Sequence, residues 1–136
     1  MPDKKLSIAI VLIIVLVVGH DIDHFVRGDF RAGSAAEALP IVLVTVAKYA
    51  AFGLGLFLYL RNSVGPGFWA VLAGIGVVLG WLAHFSPFSG QPPQVIYRVY
   101  GSPVWGSLAV AWLVALMLLL IATVLYALYL WARASR

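Results

Sequence analysis

Four apolar runs take up most of this 136-residue chain, and each is long enough to cross a lipid bilayer as a helix. A helix rises 1.5 Å per residue, so about 20 residues cross a hydrocarbon core of about 30 Å. The runs extend from Leu6 to about Val26, from Pro40 to Leu60, from Pro66 to Phe85 and from Pro103 to Trp131. In lipid only helices and closed barrels satisfy every backbone hydrogen bond. The runs are rich in Leu, Val and Ala and lack the strict alternation of barrel strands, so they predict helices. The fold class read from the sequence is an all-α integral membrane protein, a four-transmembrane-helix bundle forming a single domain.

Composition supports this and narrows the function classes. Hydrophobic residues make up 63% of the chain and charged residues 10%, against about 25% charged in a soluble domain. With no cysteine, disulfides, thiolate metal sites, iron–sulfur clusters and thiol nucleophiles are excluded. The net charge of +4 comes from nine scattered Lys and Arg residues. They form no basic patch, so nucleic acid is not an expected partner. The surroundings are membrane lipid, and a bundle this thin points to a homo-oligomer or a larger membrane complex. Ser86, Ser89 and Ser102 lack the glycine pattern of a nucleophile elbow. No phosphate-binding glycine loop with its lysine occurs.

Local signals mark the boundaries. Ser34-Ala35-Ala36-Glu37 has capping-box spacing and predicts a short turn before the second span. Pro66 and Pro103 suit a first helical turn, where the missing N–H is no loss, and Ser102 is placed to cap the last span. Pro87, Gly90, Pro92 and Pro93 make Ser86 to Gly101 the longest stretch expected to be irregular. Lys4 and Lys5 before an apolar run resemble a signal peptide. The run leads into Gly19-His20-Asp21 without a small-residue cleavage pattern, and it reads as a retained span.

Charge asymmetry predicts orientation. With the N-terminus inside, Lys4, Lys5, Arg61, Arg133 and Arg136 face inward against Asp3. Arg27, Arg31 and Arg98 face outward with Asp21, Asp23, Asp29 and Glu37. Both termini are then cytoplasmic, in a plasma or inner membrane. The last span, about 28 residues from Val104 to Trp131, is longer than the core requires and should tilt or protrude.

The chemistry-bearing stretch is Gly19-His20-Asp21-Ile22-Asp23-His24-Phe25-Val26-Arg27. At about 100° per residue, His20, Asp23, His24 and Arg27 share an arc of roughly 100°. Asp23 and Arg27 stand in the favourable order for a helical ion pair. His20 and His24 have the spacing that lets two imidazoles reach one ion from a single helix. Ionisable side chains at membrane depth cost about 2.5–3.5 kcal/mol each on insertion scales, so they turn toward the bundle and find partners. Lys48, about 12 Å below Pro40, can snorkel up to Asp21 or Asp23. His84 sits near the same end of the third span and continues the small-residue stripe Gly76, Gly80.

Three readings follow. In the first, His20, Asp23, His24 and His84 hold a divalent transition metal, with Asp23 as ligand or outer support, or His84 and one of His20 and His24 clamp a haem b. An open coordination position would permit hydrolytic or redox chemistry. In the second, the cluster is structural, in an accessory or assembly subunit, with Asp21, Arg27 and Lys48 as charge partners. In the third, the carboxylates serve a small oligomeric transporter of protons or metal ions.

Overall fold

The computed structural model describes residues 2–30 and 34–135. It contains five helices: α1 (Lys4–Arg27), α2 (Ala35–Leu60), α3 (Pro66–His84), α4 (Pro93–Val99) and α5 (Pro103–Ala134). All but α4 are long and apolar enough to cross a membrane. The described residues contain no strand, so the protein is an all-helical bundle with four candidate membrane spans. Arg31 and Arg136, counted in the charge asymmetry, lie outside the described residues, as does the side chain of Glu37.

The chain runs up and down. Asp3 at the start of α1 lies against Tyr59 near the end of α2 and Tyr126 near the end of α5. On α3 and α5, Gly67 faces Trp131, Gly76 faces Leu120 and Gly80 faces Met117, so these helices are antiparallel. Helix α5 is the hub, packing against α3, α1 and α4. The core is a column of apolar side chains: Leu6, Ile10, Ile13 and Val17 from α1, Trp69 and Ala73 from α3, and Leu113, Leu116 and Leu120 from α5. Their spacing of three and four residues gives each helix one inward stripe. The remaining faces of these helices are apolar and exposed, as lipid requires.

The candidate second span covers Ala38–Leu60, close to the expected Pro40 to Leu60, and α2 itself starts at Ala35 and carries Pro40 inside it. As the sixth residue of α2, Pro40 forfeits one intrahelical bond, to the Ala36 carbonyl, and the helix continues through it. The stretch from Ser86 to Gly101 is not irregular throughout. Pro92 caps and Pro93 opens the seven-residue α4, whose Ile96 is buried against the bundle. The prolines that read as breakers are placed at the helix start, where they fit. Ser102 does stand at the N-cap of α5, though its side chain makes no capping hydrogen bond. Helix α5 has 32 residues, about 48 Å of rise, well beyond a hydrocarbon core of about 30 Å.

One glycine sets the approach of α1 to α5. The Trp112 indole N–H donates to the Leu16 carbonyl at 2.8 Å, laying the ring across Gly19. A Cβ on Gly19 would stand 2.3 Å from Trp112 Cζ2. The ring is rigid and hydrogen-bonded, so it cannot yield as a flexible chain would. Gly19→Ala is therefore expected to destabilise the bundle by about 1–3 kcal/mol, the range for overpacking, read as a lower thermal midpoint in detergent. An unchanged midpoint would mean that this contact does not govern the α1–α5 approach.

Candidate metal centre

The polar residues of α1 meet the end of α3 and the two loops at one end of the bundle. His20 and His24 come from successive turns of α1, and His84 is the last residue of α3. Their ring centroids lie 4.5 Å (His20–His24), 5.1 Å (His20–His84) and 5.7 Å (His24–His84) apart. One nitrogen from each ring falls within 4.8 Å of the others. His84 is buried and the other two are partly buried. The Nε2 atoms of His20 and His24 are 3.2 Å apart. Two imidazoles on a tetrahedral metal, each at about 2.0–2.1 Å, stand about 3.3 Å apart. The α1 pair is thus already spaced as two ligands, and His84 needs an inward shift of at most about 1.5 Å to complete a triad.

Hydrogen bonds at the far side of two rings decide which nitrogen is free. His84 Nδ1 lies 3.0 Å from the Gln91 carbonyl, which can only accept, so Nδ1 carries the proton and Nε2 offers its lone pair. His24 Nδ1 lies 2.9 Å from Asp29 Oδ2. The Arg27 Nη2 is 3.2 Å from the same nitrogen. A protonated Nδ1 can donate to a carboxylate but cannot accept from a guanidinium, and the shorter, charge-assisted bond to Asp29 sets the tautomer. His24 Nε2 then accepts from His20 Nε2, 3.2 Å away. Carboxylate and carbonyl supports of this kind fix ring orientation and raise the basicity of metal-bound imidazoles.

The chain returns to the site at the end of α1. Gly28 adopts a left-handed conformation (φ 81°) and terminates the helix, which is glycine's usual place in a C-terminal cap. The reversal carries Asp29 back to His24 and stacks Phe30 on the His24 ring, with centroids 5.4 Å apart. Arg27 is the clamp that joins these pieces. Its side chain is only 2% exposed. Its guanidinium donates to Asp23 at 2.9 Å, to Asp29 at 2.5 Å and to the Gln91 amide oxygen at 3.0 Å. Asp23 also accepts from the Tyr100 hydroxyl, which follows α4. Two carboxylates around one guanidinium leave a surplus negative charge beside the three rings, a favourable setting for a cation.

The structure thus brings His20, His24 and His84 together and places Asp23 on Arg27 and Tyr100, outside the ring cluster. Lys48 reaches Asp21, with Nζ 2.6 Å from both carboxylate oxygens, and Tyr49 donates to Asp21 Oδ2 at 2.7 Å. This ion pair sits between α1 and α2, apart from the rings. Sequence reasoning did not find Asp29, Gln91, Tyr49 or Tyr100 as site residues. Asp29 carried a usable signal, since Gly28 marks a chain reversal next to an acid. Tyr100 lies 77 positions from its partner and carried none.

Tyr100 is the one titratable member of this network outside the spans with a displaced pKa. Burial, then the hydrogen bond to ionised Asp23, pushes its hydroxyl up to about 12. A folded-state value above the ordinary value of about 10 means that the bond's contribution is fully present below pH 10 and is lost as pH rises through about 12. Asp23→Asn is expected to return the Tyr100 titration toward 10, seen in an ultraviolet difference titration against Tyr100→Phe. A Tyr100 titration that stays near 12 in Asp23→Asn would break the link.

No protein-family model, curated protein or solved structure matches the chain.

Proposed function

We propose that this protein is a multi-pass membrane protein that binds one divalent transition-metal ion through His20, His24 and His84. The observation that carries the reading is the convergence of three ring nitrogens from two helices, two of them oriented from behind by Asp29 and the Gln91 carbonyl. Three neutral imidazoles without a thiolate suit Zn(II), Cu(II) or Fe(II). Three protein ligands leave a fourth position for water or a substrate, as in catalytic rather than structural zinc sites. Asp23 acts through Arg27, as an outer support of the site.

The haem b alternative finds less support. His20 meets both other rings in T-shaped contacts and all three centroids lie within 5.7 Å of one another, too close for a macrocycle between His84 and α1. The space opened by Gly76 and Gly80 is taken by Leu120 and Met117. We place the metal site at the outer face, with both termini in the cytoplasm, on the charge asymmetry of the loops.

Metal analysis tests the reading. Full-length protein in detergent, stripped with a chelator and then exposed to Zn(II), is expected to retain one ion per chain. Co(II) in its place should give the intense visible bands of a four-coordinate nitrogen site. A preparation that retains no metal after mild gel filtration would overturn it. A second reading, an accessory subunit with a structural polar cluster, draws on α2, of whose span only 11% is buried against 28% for α5. Stable co-purification of a larger membrane protein with metal-free chain would favour it. Metal or proton flux into liposomes would favour transport by an oligomer.

A further inference from the structure

A second binding site is suggested by an unpaired cation at the membrane boundary. The described acids already have partners: Asp3 accepts from Tyr126 and the Leu6 N–H, Asp21 is held by Lys48, and Asp23 and Asp29 by Arg27. Arg98, exposed in the last turn of α4, forms no ion pair among the described residues. Beside it, α4 and α5 line an open surface groove of about 640 Å³. Its α5 wall is the single stripe Ser107, Val110, Ala111 and Val114, and Tyr97 forms part of its α4 wall. Gly106 closes one side, since its bare Cα lets the Tyr97 carbonyl approach to where a Cβ would stand 2.4 Å away.

The groove has direction. Its polar mouth, with Arg98 and Ser107, lies at the start of α5, and Val114 lies about 10 Å further along the helix. A ligand that satisfies both parts carries an anionic head and an apolar chain aligned with the membrane normal. Lipid chains already surround the bundle, and the charge complement of a lone guanidinium at the interface is a phosphate. We infer that the groove between α4 and α5 seats one anionic phospholipid, its phosphate on Arg98 and an acyl chain along Val110, Ala111 and Val114. The site is independent of the histidine cluster, and its test does not involve metal.

Native mass spectrometry of the full-length chain tests this, using micelles doped equally with a phosphatidylglycerol and a phosphatidylcholine of identical acyl chains. One phosphatidylglycerol per chain is expected, preferred about fivefold, the effect one basic residue has on an anionic lipid. Arg98→Gln should bring the two lipids to parity, and Arg98→Lys should keep the preference. Ala111→Phe, at an exposed position that tolerates a ring, should remove the bound lipid by filling the groove. Inorganic phosphate should not displace it, because the chain contributes to binding. Parity in the unaltered protein, a preference that survives Arg98→Gln, lipid retained by Ala111→Phe, or displacement by phosphate would each overturn the assignment. So would a second copy of the chain in place of the lipid.

Discussion

His84→Ala is expected to lower zinc affinity on the order of 100-fold or more, beyond the 10–100-fold typical of losing an outer support. The reason is the division of ligands between helices. His20 and His24 belong to one helix and approach each other whatever α3 does, but the third nitrogen arrives only through His84. Without it, two imidazoles remain four residues apart, a weak chelate with two positions left to water. The matched control is Asp29→Asn, which keeps all three ligands and weakens the acceptor behind His24. Its expected loss is 10–100-fold. Affinities come from competition with a chromogenic chelator, and circular dichroism of the metal-free variants verifies folding. If His84→Ala binds zinc as tightly as the unaltered protein, the metal does not sit at this cluster. If Asp29→Asn equals the unaltered protein while His84→Ala fails, the triad stands and the supporting role of Asp29 falls.

Lys48→Met is expected to destabilise the bundle by about 1–3 kcal/mol, between the cost of breaking an exposed ion pair and that of breaking a buried one. The Asp21 side chain is 15% exposed and that of Lys48 29%, and Lys48 lies ten residues into its span, about 15 Å along α2. Both groups are part-buried, so solvent screens the pair only in part. The carboxylate left behind would keep the Tyr49 hydroxyl as its donor, which places the loss toward the lower end of that range. Asp21→Asn should cost more, because it leaves an ammonium beside hydrocarbon. The double variant Asp21→Leu with Lys48→Met should recover most of the loss, since apolar replacements of a buried pair are often neutral or better. Reversible unfolding in mixed micelles reads all three. Single variants as stable as the unaltered protein would show that the pair is solvated. A double variant as unstable as the sum of the singles would show that the two residues act separately.

The parts of the molecule read correctly in advance share one origin. Lipid offers no hydrogen bonds, so long apolar runs had to become helices, and their ends fall close to the expected residues at Leu60, Pro66 and Pro103. Helical periodicity alone also placed His20, Asp23, His24 and Arg27 on one face of α1, because neighbours on a helix are fixed by 3.6 residues per turn. Proline was the ambiguous signal. The same residue opens α4 at Pro93 and is tolerated inside α2 at Pro40.

The sequence by itself determined a helical membrane bundle with one polar helix end, since the solvent dictates the first and the helical repeat the second. The tertiary structure decided what that polar end consists of. Rotation of α3 about its own axis, set by Gly76 and Gly80 against Leu120 and Met117, turns His84 toward α1. The reversal at Gly28 brings Asp29 back onto His24, and the docking of α4 on Gly106 carries Tyr100 to Asp23. Each of these depends on contacts between residues distant in sequence. A helical repeat says which residues share a face, but only packing says what that face meets.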